Sequence, residues 1–267
     1  MTNNEYDINK IHAALGDLPI GGIRYYQKVS STNDLAIAWA EQDAPDMSVV
    51  ITDEQTSGRG RNGRKWFSPA GVSLAFSLIL RPGKGEKHSI GLYSALAALA
   101  VVQAINELDG IPRPEIKWPN DILVNTRKVC GILTEATWVG DQVESMVIGI
   151  GVNVSLGSVP PGEILNFPAA SLEEIAHRKI NRLILLKEIL KLLPEWRKRM
   201  NTHSFINAWN EQLAFRGEQV TIWTENSQPR VGTITGLDPD GGLCLKDPDG
   251  KNFTIHFGEV HLMPVRL

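Results

Sequence analysis

Two cysteines, Cys130 and Cys244, are all that the 267-residue chain contains. That excludes a disulfide framework and suits a reducing, cytoplasmic compartment. No apolar run is long enough to cross a bilayer: the longest, residues 94–105, is short and rich in alanine. Residues 1–7 lack the basic and apolar pattern of an export signal. The six histidines (His12, His88, His177, His203, His256 and His261) are scattered without ligand spacing, so none is assigned to a metal. There is no Gly-x-x-x-x-Gly-Lys-Ser/Thr loop, no Gly-x-Ser-x-Gly elbow, and no base beside either cysteine. An enzyme-bound covalent intermediate is therefore not expected. Internal repeats and low-complexity tracts are absent, and a net charge of −3 argues against wholesale binding of nucleic acid. A chain of this length is expected to divide into one large and one small domain.

What stands out against this background is Gly58-Arg59-Gly60-Arg61-Asn62-Gly63-Arg64-Lys65-Trp66. Three glycines and four cations fall together without an acid, and an indole closes the run. Such cations call for an anion to neutralise them. The glycines, Gly60 among them, are expected to supply positive φ and close backbone approach. The run also fits the Gly-x-Gly-x-x-Gly dinucleotide pattern, which must open a helix after a strand. A strand is expected at 49–54, but Pro69 and Gly71 follow and argue against a helix. The loop reads either as a phosphate-binding element of another kind or as a solvated Arg-Gly loop that adheres to RNA.

The remaining punctuation predicts an α+β organisation. Asp7 should cap a helix to about Leu15, a strand is expected over 24–29, and a helix should follow Ser30. Residues 72–80 read as a buried strand and 89–108 as a long Ala/Leu-rich helix. Strands at 115–118, 122–125, 129–138 and 142–154, joined by turns at 125–128 and 139–141, make an antiparallel meander. Helices are expected over 171–176, 183–200 and 205–212, the first opened by a Ser171–Glu174 capping box. After Gly217, short alternating strands broken by Asp-Pro-Asp-Gly turns suggest a small SH3-like β-barrel. The expected division is 1–214 and 215–267.

Further residues carry chemistry beside a plainer reading. Ser31-Thr32-Asn33 at a helix start exceeds what one N-cap needs; the surplus could bind a carbonyl or ureido headgroup. Gln55 precedes the basic loop. Lys117-Trp118-Pro119-Asn120-Asp121 is either a strand end with an Asx turn or a rigid floor presenting Lys117 and Asp121. A single carboxylate there is a weak signal for magnesium. Lys128, entering a buried strand, is an exposed turn residue or a point charge aimed at a phosphate or carboxylate. Gly131 and Gly149-Ile150-Gly151-Val152-Asn153 lack side chains at strand positions, which suggests close approach of a ligand or another backbone.

In this order, these segments resemble the biotin–protein ligase family over about residues 26–155, and the small C-terminal β module fits it too. The resemblance implies a mainly antiparallel mixed sheet flanked by helices, of the class II synthetase-like kind, with the SH3-like barrel behind it. It implies that biotin's carboxylate attacks the α-phosphate of ATP, giving biotinyl-5′-AMP, and that a lysine of a biotin carboxyl carrier protein then takes the biotin. It carries biotin contacts onto Ser31, Thr32, Asn33, Gln55, Arg59, Gly60, Arg61, Lys128, Gly131 and Gly151. Nucleotide contacts fall on Arg59, Arg61, Arg64, Trp66, Asn120, Lys128 and Asn153, with Arg61 and Lys128 in catalytic roles. Glycines 131 and 151 would leave room for a flat pocket wall. ATP, biotin and Mg2+ are expected, and pairing of two copies through the sheet is a family habit. Fewer than thirty residues precede the first expected strand of the large domain, too few for the winged helix that some relatives use on operators, so no DNA binding is expected. A lipoate or octanoate ligase and a noncatalytic RNA-binding protein are the rival readings.

Overall fold

Alternating patterns of period two and one long alanine-rich run set the architecture of this computed structural model, which describes residues 6–87, 89–161, 167–224, 228–256 and 260–264. His88 and the C-terminal residues 265–267 lie outside the described residues. The larger part contains α1 (Ile8–Leu15), β1 (Gly22–Val29), α2 (Thr32–Ala40), β2 (Ser48–Gln55), β3 (Ser73–Leu80), α3 (Tyr93–Asn106), β4 (Glu115–Lys117), β5 (Asp121–Val124), β6 (Arg127–Val139), β7 (Gln142–Asn153), α4 (Leu172–Ala176), α5 (Arg182–Arg199) and α6 (His203–Glu211). The strands form one mixed sheet in the order β1-β2-β3-β7-β6-β5-β4. Only β1 and β2 run parallel, joined through α2; every other pair is antiparallel, and β4 to β7 form the expected meander.

Strand alternation sorts the sheet into two faces. Val49, Ile51, Leu78 and Ile148 pack with α3 and α5 in the main core, whereas Val50, Ile79 and Val147 pack under Ala36 and Ala40 of α2. α3 is buried along nearly its whole length, so its alanines allow close packing on all sides. It starts at Tyr93 rather than Ser89, because residues 90–92 form a 3-10 turn. Asp7 caps α1 as expected, accepting from the Asn9 N–H at 2.7 Å. The capping box of α4 is only half made: Ser171 accepts from the Glu174 N–H, while the Glu174 carboxylate turns away to Arg127.

The smaller part contains β8 (Gln219–Thr224), β9 (Arg230–Leu237), β10 (Leu243–Lys246), β11 (Asn252–Ile255) and β12 (Val260–Pro264), an antiparallel sheet in the order β11-β10-β9-β8-β12. Its β9–β10 turn reaches the larger part. There the Gly241 carbonyl accepts from Trp118 Nε1 at 3.0 Å. Gly241 has φ +82°, and a Cβ on it would lie 2.6 Å from Trp209, so the turn needs glycine for both reasons.

A buried ion pair ties the sheet to the helices behind it. Arg182, opening α5, donates to Asp53 of β2 at 2.8 Å and to the Ser73 carbonyl at 3.0 Å, and its guanidinium lies 4.4 Å from the Tyr6 ring centroid. Both charged side chains are almost wholly excluded from water, so removing one partner strands the other. Asp53→Ala is expected to lower the unfolding free energy by about 3–5 kcal/mol, read from the urea midpoint. A change under about 1 kcal/mol would place the pair among the weak surface bridges.

Candidate active site

The face of the sheet under α2 lacks bulk where the cleft forms. Cross-strand register aligns Ala75, Gly151 and Gly131 in one row of β3, β7 and β6, and Ser77, Gly149 and Leu133 in the next. These rows are filled by side chains from elsewhere in the chain. A Cβ on Gly149 would sit 2.2 Å from Asn33 Oδ1, and one on Gly151 would sit 2.3 Å from Trp66 Cε2. The close approach expected at these glycines is therefore made by two of the protein's own side chains.

The Ser31–Asn33 segment shows why three polar residues stand together. Ser31 is the N-cap of α2 but makes no side-chain cap bond. Thr32 and Asn33, each 3% exposed, point down at the sheet. The Thr32 N–H donates to Gln55 Oε1 at 2.9 Å, and Asn33 Nδ2 donates to Glu135 Oε2 at 2.7 Å. Ser77 Oγ lies within hydrogen-bond distance of both Thr32 Oγ1 and Asn33 Oδ1. Side-chain capping thus explains none of the three, although Ser31 occupies the N-cap position.

The glycine-rich loop is a small hairpin, with no helix after it. Gly60 N–H donates to the Arg64 carbonyl at 2.8 Å, Trp66 N–H donates to the Gly58 carbonyl at 2.8 Å, and Arg59 bridges Lys65. Positive φ occurs at Asn62 (+58°) and Gly63 (+68°), the Asn-Gly pair suited to a hairpin tip. Gly60 is extended at φ −124°, which corrects the expectation of positive φ there. Glycine is sterically required at Gly58, where a Cβ would lie 2.5 Å from the Trp66 carbonyl oxygen. The expectation that the loop cations lack acidic partners also needs correction. Arg59 donates through both terminal nitrogens to Glu135, at 2.8 and 2.7 Å, and pairs with Asp34 at 2.7 Å. Hydrogen bonding to Glu135 raises its already high pKa, so the charge is permanent.

Opposite the loop, the Lys117–Asp121 segment forms the other wall. Trp118–Pro119 is a cis peptide. Asn120 anchors the wall to β6 by donating to the Ile132 carbonyl at 2.7 Å, and Arg61 reaches its Oδ1 at 3.4 Å. Lys128 Nζ pairs with Asp121 at 2.6 Å and lies 5.5 Å from the Trp66 ring centroid. The Trp66 Nε1 is buried and has no partner among the described residues. Lys117 Nζ sits 4.1 Å from the Phe167 ring centroid. Burial pushes the Lys117 ammonium down to about 8; Asp121 opposes this, and Lys128 and Arg64 push the same way.

One cleft is therefore lined by Ser31, Thr32, Asn33, Gln55, Arg59, Gly60, Arg61, Arg64, Trp66, Asn120, Lys128, Gly131 and Gly151, bringing together nearly all the residues singled out from sequence. Asn153 is the exception. It is 4% exposed and donates to the Lys128 and Ala170 carbonyls at 3.4 and 3.2 Å, so it braces the backbone at Lys128 rather than lining the cleft. Asp121 is the cleft's lining carboxylate, already paired with Lys128, and the described residues contain no cluster of three His, Cys, Asp or Glu that could hold a metal. Cys130 is fully buried, and that burial pushes its thiol pKa up, leaving it protonated and inert. Sequence reading missed Ser77 and Glu135. Their positions on the α2 face were implicit in strand alternation, but their partners lie far away in the chain.

Two predictions follow from this geometry. Gly151→Ala should displace Trp66 and weaken organic-acid binding roughly tenfold, about 1.4 kcal/mol, with little change in melting temperature; unchanged binding would mean that the indole yields freely. For Lys117, the free protein loses a cleft cation as pH rises through about 8, so kcat/KM for an anionic nucleotide should fall over that range. Lys117→Arg, which stays charged, should abolish the decline; an identical profile would exclude Lys117 as its source.

Comparison with known proteins agrees with this geometry. Residues 25–153 match the biotin/lipoate A/B protein ligase family, and residues 215–263 match the biotin protein ligase C terminal domain. The chain is 38% identical over 229 residues to the bifunctional ligase/repressor BirA of Bacillus subtilis, covering 85% of this chain and 70% of that protein. It is 35% identical to the biotin–[acetyl-CoA-carboxylase] ligase of Paracoccus denitrificans, covering 84% of this chain and 94% of the relative. Among solved structures, the biotin protein ligase from Aquifex aeolicus in complex with biotin and ATP superposes with a TM-score of 0.77 at 29% identity, covering 91% of this chain and 99% of that one. A sheet with glycine rows, a cationic hairpin over it, a C-terminal β module and these relatives lead to one conclusion: the chain belongs to the biotin protein ligase family.

Proposed function

We infer that the cleft between the glycine-rich hairpin and the Lys117–Asp121 wall binds biotin and ATP side by side. The chain is an ATP-dependent biotin–protein ligase: it activates biotin as biotinyl-5′-AMP with release of pyrophosphate and transfers the biotin to a carrier lysine. The observation that carries the site assignment is the pairing of two unlike groups in one cleft. Neutral donors and acceptors at Ser31, Thr32 and Gln55 suit a ureido ring, and Arg61, Arg64, Lys117 and Lys128 converge beside them.

This arrangement suits the chemistry. The substrate carboxylate is itself the nucleophile: its oxygen forms the new bond to the α-phosphorus as the bond to pyrophosphate breaks. The protein's task is then to position the reactants and to stabilise negative charge, which preformed cations in a sheltered cleft do well. Lys128 is placed to hold the reacting carboxylate and phosphate, once it exchanges Asp121 for the substrate. Arg61, beside Asn120, is placed at the nucleotide. Arg59, Gly60 and Trp66 shape the biotin end, and the Trp66 indole divides it from the adenine side. In the second half-reaction the carrier lysine's amine attacks the acyl carbon and AMP leaves. Magnesium accompanies ATP as the substrate's counter-ion, and Asp121 is the carboxylate among the cleft's described lining residues.

The wider proposal takes residues 1–214 as the catalytic domain and 215–267 as the C-terminal domain. The acceptor is the biotin carboxyl carrier protein of acetyl-CoA carboxylase or a related carboxylase, the setting cytoplasmic, and two copies pair through the large sheet. No helix among the described residues is long and apolar enough to cross a membrane. The cationic loop receives no nucleic-acid role, since Arg59 is neutralised within the chain and Arg61 and Arg64 face the cleft.

ATP–pyrophosphate exchange with magnesium tests the reading. Exchange is expected with biotin and not with lipoate, octanoate or no added acid. Exchange driven by lipoate or octanoate would reassign the acid, and none with any acid would refute the site assignment.

A further inference from the structure

Glu135 stands on β6 opposite Val147, on the face that carries Gly131 and Leu133 and one row beyond the cleft. Its Oε1 accepts from Arg59 at 2.8 Å, and its Oε2 accepts from Arg59 and from Asn33 Nδ2, each at 2.7 Å. An ionised carboxylate has no proton to give, and neither has the Leu133 carbonyl 3.3 Å from Asn33 Nδ2, so the shorter bond to Glu135 and the longer one to Leu133 together determine how the Asn33 amide faces. The amide nitrogen points to Glu135, and Asn33 Oδ1 points to Ser77 Oγ, 2.5 Å away. A carbonyl only accepts, so the single Ser77 proton is committed to Asn33. Ser77 Oγ is also 2.7 Å from Thr32 Oγ1. That short contact needs a proton, which Thr32 must then supply. The longer 3.2 Å approach of Thr32 Oγ1 to Gln55 Oε1 competes poorly for it. Thr32 is thereby left with lone pairs for the cleft it lines.

We propose that Glu135 is a positioning residue that fixes the donor–acceptor polarity of the Asn33–Ser77–Thr32 relay, so that Thr32 meets a ureido N–H as an acceptor, while the same carboxylate anchors the Arg59 limb of the loop. This rests on the reading of the cleft as the biotin site. Glu135→Gln keeps the shape but sets an amide NH2 against either Asn33 or Arg59. Where that NH2 faces Asn33, the amide turns over, giving up its 3.3 Å bond to the Leu133 carbonyl, and the relay reverses: Asn33 donates to Ser77, Ser77 donates to Thr32, and Thr32 becomes a donor where biotin also donates. Moving the charge one residue along repairs this. In the double variant Asn33→Asp/Glu135→Gln, the new glutamine donates to the new aspartate, which again accepts from Ser77 while losing the 3.3 Å bond to the Leu133 carbonyl.

Steady-state ATP–pyrophosphate exchange on the full chain, with melting temperatures, separates the outcomes. Glu135→Gln is expected to raise the biotin KM roughly tenfold, with kcat and the ATP KM within about twofold and the fold intact. Adding Asn33→Asp is expected to recover part of that loss. A biotin KM unchanged in Glu135→Gln, a kcat that falls in step with it, or a double variant no better than the single would overturn the proposal while leaving the function standing. Should Glu135→Gln fail to fold, the double variant decides alone by the same criterion of biotin KM against kcat. Absence of biotin-dependent exchange in the unmodified protein would instead remove the reading of the cleft, and the proposal with it.

Discussion

Three missing side chains govern the site. Gly131, Gly149 and Gly151 occupy adjacent rows of β6 and β7 on the face beneath α2, and the space they leave is filled by Asn33 and Trp66. Because a strand presents alternate residues to alternate faces, this smooth strip costs the opposite face nothing: Cys130, Ile132, Ile148, Ile150 and Val152 remain in the main core. Helix start, basic loop and sheet meet because nothing stands between them. A methyl group on any of the three glycines would press on the Asn33 amide or the Trp66 indole at 3 Å or less.

The electrostatics of the cleft are divided between anchored and presented charge. Arg59 is spent on Glu135 and Asp34 and serves as the loop's attachment to the body. These groups are partly exposed, so the attachment is of the modest strength expected of solvent-screened ion pairs. Lys128 and Lys117 face the cleft in a different state. Lys128 is held by a single carboxylate, and Lys117 is so buried that its charge is easily lost. Both are groups whose surroundings improve when a polyanion arrives.

The C-terminal module takes part in this arrangement through one turn. Its Gly241 carbonyl holds the Trp118 indole, and Trp118 lies between Lys117 and the Pro119–Asp121 wall. The rigidity of the cleft wall therefore depends in part on a segment more than one hundred residues later in the chain. The Arg182–Asp53 pair does the same for the opposite surface of the sheet, fixing β2 against α5 directly behind the strand that ends at Gln55.

Much of this was legible from sequence, for local reasons. Proline, glycine and capping residues mark element ends, alternation marks strands, and the turns at 125–128 and 139–141 and the Asp-Pro-Asp-Gly turns mark hairpins; these signals act over a few residues and predicted the meander, the helices and the separate β module. The grouping of the polar helix start, the cationic loop, the Trp-Pro wall and Lys128 was visible as a family resemblance. What the sequence could not decide is who faces whom. Arg59 was read as a cation awaiting an anion, yet it meets Glu135, 76 residues away. Asn153 was read as a nucleotide ligand, yet its amide is spent on the backbone carbonyls of Lys128 and Ala170. Gly60 was expected at positive φ, yet the hairpin bends at Asn62 and Gly63. Residue type and short-range spacing determined the elements and the chemistry available; cross-strand register and the docking of the loop, both set by contacts between distant segments, decided which of those groups share a cleft and which merely hold it in shape.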